Sequence, residues 1–349
     1  MAGRGLGGAE TYATDLMLSL HAAGVDQCAV VAANAPRYGE MAAAGIRTAQ
    51  HVLSFPFRPL QRSLLRRLLG LEKPDLVHCW MRRAASIMPR WEPCPVIGWF
   101  GGYYDPRRFQ RCGQFVGVTK DIVDHMVKNG VPPDQAHYVP TFPDVKDEPP
   151  VNRASLATPE GAKVVLALSR LHSKKGLDTL LRAAQRLPGA VFWLAGEGPL
   201  RSQLERLAKD LGVSDRVRFL GWRTDRGALL RAADVCVLPS RYEPFGTVIL
   251  EAWAAKTPFV ACRSAGPTAH VRDGVDGLLV PIDDDERLAE AIKKALYNNK
   301  LRENLIAEGY AAYSQKYTRE AVTGRMIGLY ERLIAGHGSV PVRHASCAS

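Results

Sequence analysis

Short apolar runs alternate with amphipathic stretches through the second half of the chain. VVLALSRL (164–171), AVFWLAGEG, RVRFLGW, VCVLPS, PFVACRS and GLLVPI read as strands. GLDTLLRAAQRL, PLRSQLERLAKDLG, GALLRAAD, GTVILEAWAAK and DDDERLAEAIKKAL read as the helices between them. Buried strands alternating with helices predict a parallel sheet covered on both faces, which is a complete Rossmann-like unit. The first half is less regular. DQCAVVAAN, DLVHCW, CPVIGWF and QFVGVT are strand candidates, and LLRRLLG and DIVDHMVKNG are helical. The pattern predicts an α/β protein of two doubly wound domains facing each other across a cleft, with ligands at the carboxyl ends of the strands. DVKDEPPVNRASLATPEG (144–161) reads as a linker. The expected division is 1–150, then 151–316, then a helix at 317–335 packing back on the first domain, and a tail at 336–349. A Rossmann-like half should open with a strand, yet the glycine-rich GRGLGG begins at residue 3 and a helix follows directly. The first strand is therefore expected to be missing, through a shortened chain or a misassigned start.

Composition narrows the class. The chain has 349 residues, 46% hydrophobic and 23% charged, so two ordinary globular domains are expected. No apolar run approaches the ~20 residues of a membrane span, and no secretory signal opens the chain. Cys28, Cys79, Cys94, Cys112, Cys236, Cys262 and Cys347 form no CxxC pair. They read as reduced thiols of a cytoplasmic protein without a zinc site. The net charge is +11, and residues 51–120 hold twelve Lys/Arg against four Asp/Glu. Arg58, Arg62, Arg66, Arg67, Arg82, Arg83, Arg107, Arg108 and Arg111 suit an anionic partner: acidic lipid, a phosphorylated substrate or nucleic acid. A solvated basic face is the plainer account, and nothing in the sequence matches a nucleic-acid-binding motif.

Four segments could carry chemistry. SRLHSKKG (169–176) puts Arg170 at a strand end and Lys175 ahead of a helix, an arrangement that would hold a diphosphate. The alternative is two solvated surface cations. AGEGP (195–199) offers Gly196 and Gly198 for close backbone approach, although many strand–helix turns contain glycine. GLGGAE places Gly8 at a helix start, without the preceding strand that a dinucleotide fingerprint needs. EPFGTVILE (243–251) is the most specific. Glu243 precedes a helix start, and Glu251 lies inside an apolar stretch of that helix. Paired carboxylates suit a polyhydroxylated ligand. Otherwise Glu243 complements the helix dipole and Glu251 is solvated, which its apolar neighbours disfavour.

Taken together and in order, Arg170 and Lys175, GEGP, FLGW, ADVCVLPSRYEPFGTVILEAWAAKTPFVA and DGVDGLLVPIDD resemble the retaining glycosyltransferases of the GT-B fold, family 4. The GGAE helix also matches that family's first domain. WFGGYYDPRRFQRCGQFVGVTKDIVDHMVKNGVPPDQAHYVPTFPD is similar to a bacterial subgroup that transfers cell-envelope or lipopolysaccharide sugars. The resemblance implies an acceptor-side first domain and a second domain that binds a nucleotide-sugar donor, UDP- or GDP-linked. Arg170 and Lys175 would grip the donor diphosphate and Glu243 the transferred sugar. Backbone N–H groups of Phe245, Gly246 and Thr247 would contact sugar or phosphate. Glu251 would hold the ribose, and Gly8 would approach the distal phosphate. Gly196 and Gly198 would line the donor, and Gly101, Gly102 and Tyr103 the acceptor side. It implies no cofactor and no metal, because the two cations carry the leaving-group charge. Asp283–Asp285, the DxD-like run, reads as helix capping.

Three positions depart from the family pattern. Gly101 stands where a histidine commonly meets the donor sugar, Ala269 replaces a glutamate, and Lys256 replaces a helix-ending glycine. His78 is expected to be structural or to line the cleft. A left-handed Lys256 would cost on the order of 1 kcal/mol. The expected partners are the donor, a glycan or lipid-linked acceptor and an anionic membrane surface, with peripheral association at the inner face of the cytoplasmic membrane. Two other readings are a nucleotide-sugar epimerase, which would act without an acceptor, and a non-catalytic binder, which would bind without turnover.

Overall fold

The computed structural model describes residues 8–32, 37–50 and 57–337. The start of the chain, where the first strand is expected to be missing, and the tail beyond 337 lie outside these residues. The first elements are α1 (Gly8–Ala22), β1 (Cys28–Val30), α2 (Tyr38–Ala43), β2 (Arg47–Ala49), α3 (Arg58–Glu72), β3 (Val77–Trp80) and α4 (Met81–Ile87). They continue with β4 (Val96–Phe100), β5 (Gln114–Gly117), α5 (Lys120–Lys128) and β6 (Ala136–Tyr138). Next come β7 (Lys163–Leu168), α6 (Leu177–Ala184), β8 (Ala190–Ala195), α7 (Arg201–Asp210), β9 (Val217–Gly221), α8 (Arg226–Ala232) and β10 (Val235–Leu238). The described residues end with α9 (Thr247–Ala254), β11 (Phe259–Cys262), α10 (Ala265–His270), β12 (Leu278–Val280), α11 (Asp285–Tyr297), α12 (Asn299–Lys316) and α13 (Arg319–His337). The chain divides into two compact units, Met1–Thr141 with Arg319–Ser349, and Phe142–Thr318.

The second unit carries a six-stranded parallel sheet in the order β12-β11-β10-β7-β8-β9. The chain runs outward from β7 to β9, then returns to β10 and runs the other way. The reversal lies between neighbours β7 and β10. β8 and β10 are buried along their whole length, as their unbroken apolar sequences require of a sheet covered on both faces. Leu177, Leu180, Leu181 and Ala184 of α6 pack with Leu288, Ile292 and Leu296 of α11 in the core on one face.

The segment 144–161 is part of this unit rather than a free linker. Arg153 donates to Ala232 O at 2.8 Å and pairs with Asp234 at 2.9 Å. Thr158 is buried and accepts from Trp193 Nε1 of β8 at 2.9 Å. Its polar composition therefore satisfies buried partners as well as solvent.

In the first unit β3-β4-β5-β6 form one parallel sheet, and among the described residues β1 and β2 pair only with each other. Thr119 caps α5 by accepting from Ile122 N at 3.0 Å. α13 returns to this unit. Its Thr323 meets Ser19 of α1 at 2.7 Å, and its Tyr330 hydroxyl lies 2.6 Å from His78 Nδ1. His78 stacks on Trp80, and burial pushes its pKa down to about 3.

Candidate functional site

In an open parallel sheet the exit loops of two strands part where the strand order reverses, and the crevice lies there. In the second unit that point is the carboxyl end of β7 and β10. SRLHSKKG leaves β7 and PSRYEPFG leaves β10, and the two loops are tied together. Arg241 N and Tyr242 N both donate to Lys174 O, at 2.9 and 3.2 Å. The Arg241 guanidinium donates to Ser173 O and forks onto Asp178 at 2.8 and 2.7 Å. A Cβ at Gly176 would fall 2.0 Å from Pro239 O, and Gly176 has φ +60°, so only glycine lets the loops touch here.

This contact brings Lys175 to Glu243. Lys175 Nζ donates to Glu243 Oε2 at 2.5 Å, with the side chains 20% and 14% exposed. Arg170 is exposed and pairs with no carboxylate among the described residues. Behind Glu243, Gly246 takes φ +85° and α9 begins at Thr247. The first N–H groups of such a helix have no partner inside it and face the loop. α10 supports the loop from behind. Gly266 N donates to Glu243 O at 2.6 Å, and the His270 ring meets the Phe245 ring edge-on at 4.5 Å. His270 Nδ1 lies 3.2 Å from Tyr317 OH, while Nε2 is buried without a partner. Burial lowers the His270 pKa to about 4.

Glu251 lies one turn into α9 and is 1% exposed. Arg226, the first residue of α8, brings Nη1 to 2.6 Å from Oε1, but its N–H is not aimed at the oxygen. The short distance marks an ion pair, and the geometry leaves both carboxylate oxygens without a directed donor. Burial raises the Glu251 pKa, against the pull of Arg226. An inward carboxylate of this kind is a place for ligand hydroxyls.

Two of the three aspartates expected to cap a helix do something else or more. Asp284 is the cap and accepts from Arg287 N at 2.9 Å. Asp283 instead has φ +61° and binds Arg241 at 2.7 Å and Thr179 at 3.0 Å. Arg241 holds its pKa below the ordinary value. Asp285 opens α11 and lies 3.5 Å from Arg186. Arg241 is thus the node joining both loops to α6 and the turn before α11. The sequence contains it within RYEPFG, but its partners Ser173, Asp178, Thr179 and Asp283 are far away in the chain.

A model of glycosyl transferases group 1 matches residues 150–312, and a model of glycosyltransferase family 4 matches residues 6–147. The chain belongs to these glycosyltransferases. Two relatives span nearly the whole chain. The lipopolysaccharide core biosynthesis glycosyltransferase LpsE of Rhizobium meliloti is 38% identical, covering 93% of this chain and 95% of its own. LpsD of the same organism is 33% identical, covering 94% and 96%. The solved structure of Anabaena HepE in complex with UDP superposes with a TM-score of 0.82 at 19% identity, over 95% of this chain and 98% of that one. That likeness, together with the parallel sheets of the two units, identifies the GT-B fold.

The remaining expected site residues of the glycosyltransferase fall in two places. A Cβ at Gly196 would lie 2.0 Å from Ser169 O, and one at Gly198 2.4 Å from Leu171 O. The backbone these glycines admit is that of the neighbouring SRL loop, which sets the position of Arg170. In the first unit Gly101, Gly102 and Tyr103 follow β4. A Cβ at Gly101 would strike the Trp99 indole at 2.3 Å, so this indole occupies the space a side chain there would need. Gly102 is buried, and Tyr103 donates its hydroxyl to Asp121. Gly8 opens α1. The described residues contain no group of three or more His, Cys, Asp and Glu placed to hold a metal ion.

Proposed function

We propose that this glycosyltransferase moves a sugar from a nucleoside-diphosphate donor to a lipopolysaccharide or lipid-linked acceptor, with retention of anomeric configuration. The observation that carries the reading is the convergence of Arg170, Lys175, Glu243 and the start of α9 at the strand reversal, with the under-satisfied Glu251 behind them. The names of LpsE and LpsD point to lipopolysaccharide core synthesis, and HepE was solved with UDP-glucose.

In this reading Arg170 and Lys175 hold the diphosphate and stabilise its charge as it leaves. The N–H groups of Phe245, Gly246 and Thr247 meet sugar or phosphate. Glu243 accepts from the sugar hydroxyls and Glu251 from the ribose. The acceptor attacks the oxocarbenium-like carbon on the face the diphosphate has left, and a donor phosphate oxygen takes its proton. No cofactor or metal enters, since the cations carry the leaving-group charge. The protein works on the cytoplasmic side, and an anionic membrane surface is where it meets a lipid-linked acceptor.

The test is a thermal-shift screen of nucleotide sugars, since a ligand raises stability by mass action. Turnover with the best donor and a truncated lipopolysaccharide acceptor follows, and NMR of the product reads the anomeric configuration. An inverted product removes the retaining mechanism. Product without an acceptor favours an epimerase, and binding without turnover favours a non-catalytic binder.

A further inference from the structure

The bonds that hold Lys175 against Glu243 lie mostly outside the pair. The Arg241 guanidinium donates to Ser173 O at 2.8 Å, forks onto the Asp178 oxygens at 2.8 and 2.7 Å and meets Asp283 at 2.7 Å. The backbone N–H groups of Arg241 and Tyr242 both donate to Lys174 O. These bonds fall on the two residues before Lys175 and the two before Glu243. Among the described residues Arg241 has no hydrogen bond or ion pair to Lys175 or Glu243 themselves. The Arg241 side chain is 29% exposed, and those of Asp178 and Asp283 are 31% and 48%, so as ion pairs they add little stability. Yet Asp283 keeps a left-handed backbone, φ +61°, that residues other than glycine seldom adopt, and from there its carboxylate reaches Arg241 and Thr179. Asp284, the next residue, does the capping of α11. Backbone strain kept where ion pairing adds little stability points to a demand on position.

We infer that Arg241 is a positioning residue for glycosyl transfer: it clamps the loop after β7 to the loop after β10 and so keeps the Lys175 ammonium and the Glu243 carboxylate arranged for the donor. A guanidinium suits this task. It bonds two carboxylates and a carbonyl at fixed angles, which an ammonium on a flexible stem does not. A shift of about 1 Å in a loop that carries reacting groups can lower turnover on the order of 10²-fold. The effect on turnover rests on the donor reading of Lys175 and Glu243 above, whereas the clamp itself rests on geometry alone.

The test compares Arg241→Gln and Arg241→Lys with wild type in two assays of the full-length protein. One is steady-state turnover of the best nucleotide sugar with a truncated lipopolysaccharide acceptor. The other is acetylation of Lys175 by acetic anhydride, read by peptide mass spectrometry with the exposed Lys209 as internal reference. Arg241→Gln should lower kcat/KM on the order of 10²-fold, most of it in kcat, and Arg241→Lys about ten-fold. In a Lys175→Ala background Arg241→Gln should cost less than about three-fold, because little is left to position. Lys175 should acetylate about ten-fold faster in Arg241→Gln, since its loop opens more often. A folded Arg241→Gln with wild-type turnover overturns the inference. So does a full loss in the Lys175→Ala background, or a loss that only tracks the folded fraction in circular dichroism, which would make Arg241 structural. If Arg241→Gln does not fold, Arg241→Lys decides by the same readouts. If wild type binds no nucleotide sugar, the donor reading fails and acetylation decides the clamp: a Lys175 no more reactive in Arg241→Gln than in wild type overturns it.

Discussion

Lys175 Nζ lies 2.5 Å from Glu243 Oε2, so the two residues assigned to diphosphate and sugar hold each other. Donor binding therefore has to open or share this pair. Lys175→Ala and Glu243→Gln are each expected to lower turnover by about 10²–10³. Because each change also removes the other's partner, the double variant should lose much less than the product of the two. Full additivity in steady-state kinetics would show that the pair does not act as one unit.

Glu251 should trade stability for binding. Its pKa is raised by burial, so the favourable contribution belongs to the protonated form. That contribution is present below the ordinary carboxylate range and is lost as pH rises through the raised value. At pH 7 the buried charge costs stability, and Glu251→Gln is expected to melt higher than wild type. The gap should close as pH falls toward 4. The same variant should bind nucleoside diphosphates more weakly and pyrophosphate equally well, read by calorimetry. A variant that melts lower at pH 7 would contradict the desolvation account.

His270 should add an acid-side slope to stability. Its pKa falls from an ordinary ~6.5 to about 4 through burial, so the unfolded chain takes up a proton first. The stability is present above the unfolded value and is lost as pH falls from ~6.5 to about 4. The slope can reach about 1.4 kcal/mol per pH unit in that window. His270→Gln should remove it, measured as the difference from wild type, which cancels the parallel contribution of His78. Because His270 backs Phe245, the variant should also raise the donor KM.

Two left-handed positions should respond in opposite directions. Gly176→Ala drives a Cβ against Pro239 O and should cost about 2–4 kcal/mol in denaturant unfolding. Lys256, at φ +57°, carries the strain that its place at the end of α9 implied. Its ammonium sits 4.5 Å from the Tyr310 ring, which returns about 0.5–1 kcal/mol. Lys256→Gly relieves the backbone and loses that contact, so a net change of about 0 to +1 kcal/mol is expected. A net loss of stability would mean that the ring contact outweighs the strain.

Strand–helix alternation from residue 163 onward was legible because each long element buries apolar residues at its own period. Elements without that signature were not. β2 and β6 are three residues long, and α12 buries only Leu305 and Gly309. The polar 144–161 segment looked like a linker because its hydrogen-bond partners, Ala232, Asp234 and Trp193, are distant in sequence.

At the candidate site the sequence by itself determined the residue types and their places at strand ends and at a helix start, since these are local matters of turn chemistry and helix termini. An inward Glu251 was legible too, because a lone carboxylate in an apolar stretch of helix has few other places to go. Only the tertiary structure decided which charges meet. Strand order puts the exits of β7 and β10 side by side, although more than sixty residues separate them. The pairing of Lys175 with Glu243 and the fork of Arg241 onto Asp178 and Asp283 follow from that adjacency. So does the need for glycine at 176, because contact between loops depends on how the sheet is wound and not on any local pattern.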